Sequence, residues 1–329
     1  MNQRPKVLVL LSGGLDSTLA VKSMIDQDLD VEVAIFSTPF CLCDKCSAGS
    51  TVKKFGIRAH TVLLGQEYLD LIANPPHGYG SQMNPCIDCR IMMMRKAKEL
   101  AQKLGAKCVV TGEVLDQRPF SQTKRAMEFI EKKAGMEGKI LRPLSAKLLP
   151  ETEFEKSGQV NREKLHSIQG RRRLPQMDLA NKWGVKDYPC PSGGCLLTDP
   201  RFAERLKDLL KYKKDLKIDD VNLLKIGRHF RFDGNKIVVG RNEKENQSLL
   251  MISNRKKLPY LEVVDHMSPI TLLEESCSDE VAKKAAEITI RYSDVENCVE
   301  VDVKLALSGN VAIIRSTAAS DEEINRLRV

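Results

Sequence analysis

The chain opens on an apolar run, Lys6-Val7-Leu8-Val9-Leu10-Leu11. Ser12-Gly13-Gly14-Leu15-Asp16-Ser17 follows, then a stretch, Thr18–Ile25, whose apolar positions recur at helical spacing. That order predicts strand, tight turn and helix N-terminus. Val31–Phe36 predicts a second strand, and helical and strand-like patterns alternate to about residue 150. The fold class expected is therefore α/β, a doubly wound parallel sheet with helices on both faces. A helix through Leu104 is expected to turn Met93, Ala97, Leu100 and Leu104 to one face, with Met92-Met93-Met94 in the core. Lys107–Thr111 predicts a buried strand, with Cys108 as a core thiol, that ends in Gly112-Glu113. Residues 151–175 are polar, with a short helix expected near Arg162–Ile168. From Asp199 the pattern changes: a basic helix over 201–216, a hairpin over Ile226–Arg241 running into a helix start, then a helix at Ala282–Ile290. Strands are expected at Val299–Val303 and Val311–Ile314, and Cys277 and Cys298 read as structural. The expected division is 1–200 and 201–329, the second a smaller α+β domain.

A length of 329 residues suits two such domains. No apolar stretch approaches membrane-spanning length and the N-terminus lacks a signal-peptide layout, so the reading is cytoplasmic, with no membrane partner. In that compartment the ten cysteines argue for metal or thiol chemistry over a disulfide scaffold. The net charge of +8 is unevenly spread. Residues 201–260 hold about twice as many Lys and Arg as Asp and Glu, and 261–329 reverse the ratio. A basic segment suits a polyanionic partner, although for charge alone a solvated face on a Lys-rich helix is the better account.

Candidate chemistry gathers at the loops. The turn Ser12–Ser17 offers backbone N–H groups and a helix N-terminus to an anion, and its glycines let a phosphate approach closely. Asp16 is at home there if a divalent cation sits beside it. Phe36 and Ser37, at the end of the second strand, could hold adenine through backbone groups, and Thr111 and Gly112 end a further strand as cofactor-binding candidates. Arg142, before Pro143 at a strand end, is a phosphate candidate. Cys41, Cys43 and Cys46 form a CxCxxC set, a candidate second thiol site that suits a metal, a sulfur relay or a redox role. Cys86 and Cys89 form a CxxC at a helix N-terminus, a place that depresses thiol pKa values. Cys190 and Cys195 lie in a rigid Pro- and Gly-rich loop. Arg171, Arg172 and Arg173 make a dense positive spot suited to RNA, and Arg228, Arg231 and Arg241 mark the basic hairpin.

The hexapeptide resembles the SGGxDS signature of the PP-loop ATP pyrophosphatases, whose fold is adenine nucleotide alpha hydrolase-like. They cleave ATP between the α- and β-phosphates and adenylate a substrate. The run NPCIDC, a helix, LGAK and VVTGE resembles the NPCxxC…LGAD…ATGH layout of tRNA 2-thiouridylases, with Glu113 where that family usually has His. Cys195 matches the cysteine of their GIC-type loop and Cys190 does not. GRHFR…KIVVGRNEKEN resembles the RNA-associated domain of NFACT proteins, over roughly 215–310.

These resemblances imply an ATP-dependent tRNA sulfurtransferase of the 2-thiouridylase or 4-thiouridine synthase type. ATP and Mg2+ would be cofactors, and Asp16, Cys86 and Cys195 catalytic. The sulfur donor would be sulfide, a cysteine desulfurase or a carrier protein; a homodimer is compatible with the sequence. Two sulfur routes stay open. Cys195 carries a persulfide and Cys86 completes a disulfide, with Cys89 dispensable; or Cys86, Cys89 and Cys195 ligate a [4Fe-4S] cluster with one iron open, the preferred reading. The rivals are a PP-loop enzyme acting on a small molecule such as a deazapurine, and a non-catalytic RNA-binding protein.

Overall fold

The computed structural model describes residues 4–41, 45–186, 188, 194–274, 278–296, 298–307 and 309–329, with backbone alone at 45–47. The chain divides into two compact units, Met1–Pro200 and Arg201–Val329. In chain order the first holds β1 (Lys6–Leu10), α1 (Leu15–Ile25), β2 (Asp30–Ser37), α2 (Lys45–Phe55), β3 (Arg58–Leu63) and α3 (Gln66–Ala73). Then come α4 (Cys86–Leu104), β4 (Cys108–Thr111), α5 (Lys124–Ala134), β5 (Ile140–Leu141), α6 (Glu153–Lys156) and α7 (Leu174–Lys182).

The strands form one five-stranded sheet in the order β3-β2-β1-β4-β5. Every pairing is parallel, with Val7 of β1 opposite Val31 on one side and Cys108 on the other. Alternation along β1 explains the two covered faces. Val7 and Val9 pack with Ala20, Val21 and Met24 of α1. Leu8 and Leu10 pack with Ile91, Met94 and Ala97 of α4 and Ile130 of α5. The fold class expected from the sequence is the one observed.

Local details differ. The buried stripe of α4 is Ile91, Met94, Ala97 and Ala101, with Met93 only half-buried, because the alanines let the helix lie close to the sheet on that side. The helix expected near Arg162–Ile168 is a single 3₁₀ turn, Arg162–Lys164. Cys298 is exposed, so it does not pack as a structural thiol, and Cys277 lies outside the described residues.

The second unit runs α8 (Pro200–Tyr212), α9 (Ile218–Leu224), β6 (Arg228–Phe232), β7 (Asn235–Val239), α10 (Glu243–Lys256), β8 (Tyr260–Val263), β9 (Thr271–Leu273), α11 (Asp279–Arg291), β10 (Val301–Leu307), β11 (Asn310–Ser316) and α12 (Asp321–Leu327). Its six-stranded antiparallel sheet has the order β11-β10-β8-β9-β7-β6. Phe230, Ile237, Leu261 and Val303 from the sheet close a core with Val281, Ala285 and Ile288 of α11. Among the described residues no helix is long and apolar enough to cross a membrane.

Because β1 lies between β2 and β4, the loops leaving β1 and β4 meet at one edge of the sheet. Gly112 follows β4 there. A Cβ on it would stand 2.5 Å from the Ser17 nitrogen and 2.6 Å from the Asp16 carbonyl carbon and oxygen. Backbone cannot swing aside as a side chain can. Gly112→Ala should therefore lower stability by about 1–3 kcal/mol and weaken nucleotide binding, as read by urea unfolding and ATP titration. Unchanged values in both would mean that the two loops part freely.

Candidate functional site

The loop after β1 is held by its own hydroxyls. Ser17 Oγ donates to the Gly14 carbonyl at 2.9 Å and accepts from the Ser12 nitrogen at 3.3 Å. The Ser12 and Ser17 hydroxyls lie 3.2 Å apart. Gly13 has φ +81°, a conformation that favours glycine. Gly14 is the N-cap of α1, with no side-chain cap bond, so the helix presents its first N–H groups outward.

Asp16 begins the first turn of α1. Its Oδ2 accepts from Gln117 Nε2 at 3.0 Å, while its Oδ1 is buried with no hydrogen-bond partner among the described residues. Burial raises the Asp16 pKa above the ordinary carboxyl value; the Gln117 hydrogen bond and the charges of Arg173 and Arg118 pull the other way. A lone oxygen of this kind, beside an uncapped helix start, fits a divalent cation bridging carboxylate and phosphate. Arg173 caps α7, and its Nε is likewise buried without a partner. Arg171 and Arg172 are exposed, so the basic triplet divides: two cations face solvent and the third acts on Asp16. Gln117 and Arg118 belong to the run Asp116-Gln117-Arg118-Pro119, which reads from the sequence as part of an Arg-rich loop able to grip a phosphate after a nucleotide-binding strand.

Phe36 and Ser37 are half-buried at the end of β2, and the Ser37 carbonyl accepts from the Leu64 nitrogen at 2.9 Å. Thr111 is buried, with its hydroxyl donating to Glu113 Oε2 at 3.1 Å. Glu113 is the centre of a charged cluster. Arg142 Nε donates to its Oε2 at 3.0 Å, and Arg90 Nε of α4 lies 3.4 Å from its Oε1. Arg142 also pairs with Glu131. The guanidinium expected to grip a phosphate is thus 5% exposed and held between two carboxylates. Burial works to raise the Glu113 pKa, but the charges of Arg90 and Arg142 outweigh it and hold the carboxyl below its ordinary range.

Arg90 also acts on Cys89, which ties this cluster to the thiols. Cys86 starts α4, with Asn84 Nδ2 donating to its sulfur at 3.1 Å. The Tyr68 hydroxyl donates to Cys89 Sγ at 3.3 Å. Cys195 lies near Cys89, Cys41 and Cys86, close enough for their charges to act on it. Burial pushes its thiol up to about 12. The Cys89 thiol is also raised, against the depressed value expected at a helix N-terminus, because desolvation exceeds the help from Tyr68 and Arg90. Cys41 joins these residues, not a separate site. Cys43 and Cys190 lie outside the described residues, as does the side chain of Cys46. Cys108 is a buried core thiol, as expected, pushed up by burial to about 12. Among the described residues no three His, Cys, Asp or Glu side chains are gathered tightly enough for a single metal ion.

In the second unit the basic hairpin is internally engaged. Arg228 donates to the Gly240 carbonyl at 3.0 Å and stacks over Tyr292. Arg231 pairs with Asp208 and lies 4.1 Å over the Tyr212 ring; Arg241 pairs with Glu245. The cations that α8 and its exit turn to solvent are Arg201, Lys207, Lys211 and Lys214. The first two lysines stand one helical turn apart.

Glu113 gives the site a pH signature. A carboxyl depressed in the fold stabilises it fully above the ordinary value of 4.5, and that stabilisation is lost as pH falls through the lower folded value. Glu113→Gln leaves Arg142 and Arg90 under-compensated, and should lower stability at neutral pH by about 3–5 kcal/mol. Urea midpoints measured from pH 7 to pH 3 should converge for the variant and the natural protein at the acid end. A constant gap would place the loss elsewhere.

Residues 3–147 match the family model described as Thiamine biosynthesis protein (ThiI), and residues 227–328 match that of the NFACT protein RNA binding domain. The chain is 23% identical over 241 residues to a tRNA-specific 2-thiouridylase MnmA of Pseudomonas fluorescens (strain SBW25), covering 69% of this chain and 61% of that protein. It is 29% identical over 142 residues to a probable tRNA sulfurtransferase of Thermococcus kodakarensis, covering 42% of this chain and 36% of that one. The chain thus spans less than two thirds of the length of either curated relative. A solved 4-thiouridine synthetase–RNA complex with bound ATP is similar at a TM-score of 0.36 and 20% identity, over 67% of this chain and 52% of that one. Residues 3–147 are thus similar to the ThiI family model, and residues 227–328 to that of the NFACT RNA binding domain.

Proposed function

We propose that this protein is an ATP-dependent tRNA sulfurtransferase that adenylates a uridine carbonyl and replaces its oxygen with sulfur. The observation that carries the reading is the turn Thr111-Gly112-Glu113. It touches the nucleotide loop through Gly112 and reaches the thiol helix through Glu113 and Arg90. Oxide is a poor leaving group, and adenylation converts it to AMP. Backbone N–H groups around Gly13, Gly14 and Ser17 would take the charge of the departing pyrophosphate. Asp16, through its unpartnered Oδ1, would hold magnesium between carboxylate and phosphate. Phe36 and Ser37 would bound the adenine.

A sulfur nucleophile then attacks the activated carbon and AMP leaves. Cys86, Cys89 and Cys195 suit a [4Fe-4S] cluster in donor type and in surroundings. A four-iron cluster spreads its thiolates over separate irons, so its ligands sit farther apart than around one ion. When bound it would supply an iron at which sulfide is activated. The persulfide route on Cys195 uses the same residue without Cys89. RNA would be held by Arg171, Arg172 and the exposed cations of α8, with Arg228, Arg231 and Arg241 shaping the domain that carries them.

The test is anaerobic incubation with tRNA, ATP, magnesium and sulfide, followed by nucleoside mass spectrometry and AMP quantitation. Thiouridine and AMP should appear together, and Asp16→Asn should lower both by about 10²–10³-fold, the scale for removing one charge-stabilising group. RNA binding without AMP would sink the enzyme reading. Iron and sulfide bound to the purified protein, and lost in Cys89→Ala along with activity, would support the cluster. Full activity of that variant, with a low-molecular-weight persulfide in place of sulfide as the donor, would select the persulfide route.

A further inference from the structure

We infer that Cys41 is the disulfide partner of Cys195, and that the pair is a thiol-oxidation site for small-molecule disulfides. The two residues face each other across an isolated antiparallel β-bridge. The Leu196 nitrogen donates to the Phe40 carbonyl at 2.9 Å, one residue to the side of the pair. That places Cys41 and Cys195 at a non-hydrogen-bonded position, where facing Cα atoms lie about 4.5 Å apart and side chains are closest. Disulfides span Cα separations of about 4.4–6.8 Å. Both residues are half-buried, so a small oxidant can reach them. Cys86 and Cys89 are held on α4, their sulfurs against Asn84 and Tyr68, and among the described residues neither faces Cys195 across a β-bridge.

The step balances as thiol–disulfide exchange. The Cys41 thiolate attacks one sulfur of a low-molecular-weight disulfide, forming a mixed disulfide and releasing one small thiol. The Cys195 thiolate then attacks Cys41 Sγ, forming the Cys41–Cys195 bond and releasing the second small thiol. Two protein thiols are oxidised, one small disulfide is reduced to two thiols, and the two protein protons pass to the released thiols. A dithiol reductant reverses it. The bond withdraws Cys195 from either sulfur route, a consequence that rests on the proposed function; the pairing itself does not.

The pairing is tested on iron-free full-length protein, purified in air with a chelator. It is treated with oxidised glutathione, blocked with N-ethylmaleimide and mapped by peptide mass spectrometry without reduction. A Cys41–Cys195 linked peptide is expected, released by dithiothreitol and absent from Cys41→Ser and Cys41→Ala. Linkage of Cys195 to Cys43, Cys86, Cys89 or Cys190, or complete alkylation of Cys195, overturns the proposal on the natural protein alone. In the thiolation assay glutathione oxidation should abolish activity of the natural protein and dithiothreitol should restore it; full activity of the Cys41–Cys195-linked protein overturns the switch. A linked peptide in a protein that does not thiolate tRNA keeps the pairing and removes only the functional reading.

Discussion

Gly112 lies against the backbone of Asp16 and Ser17 with no room for a side chain, and the rest of the site follows from that contact. Parallel pairing of β1 with β4 brings the two loops to one edge. The absence of a Cβ then lets them touch. The next residue, Glu113, binds Arg142 and approaches Arg90 of the thiol helix, and the preceding one, Thr111, donates to the same Glu113 oxygen that Arg142 binds. Three consecutive residues thereby set the nucleotide loop and the CxxC helix relative to each other. A buried ion cluster of this sort adds little net stability over an apolar filling, since desolvation offsets most of its attraction, but it strongly disfavours arrangements that separate its members.

The same edge holds groups whose charge states are conditional. Burial raises Asp16 and leaves one of its oxygens unpaired. Burial also raises Cys89 and Cys195, and the neighbouring thiols oppose further ionisation. In each case a cation placed beside the group would favour its ionised form.

The architecture was legible because period-two and helical alternation are local. Val7 to Leu11 already distinguishes the two faces of β1, and the hairpin Arg228–Val239 is written in its own residues. Partners distant in the chain were not legible. Cys41 sits in a CxCxxC string that suggests a local cluster, yet its opposite number is Cys195. Arg142, Arg228, Arg231 and Arg241 read as a positive field, but the groups that engage them include Glu113, Tyr292 and Asp208, far along the sequence. A count of basic residues carries no information on which are already satisfied. The lysines of α8 stay exposed because helical geometry points them away from the buried Phe202, Ala203, Leu206 and Leu209.

The departure at position 113 gains a physical sense from this arrangement. An imidazole there could donate a hydrogen bond to a phosphate; a carboxylate cannot, and would repel it. Glu113 is nonetheless buried, with two guanidiniums near it and a second carboxyl group, Glu131, on the far side of Arg142. Its charge is cancelled locally and does not project into the nucleotide loop. The same pairing removes Arg142 from phosphate duty. The cations left to act at the loop are then those that already act on Asp16, Arg173 with its unpartnered buried Nε and the exposed Arg118.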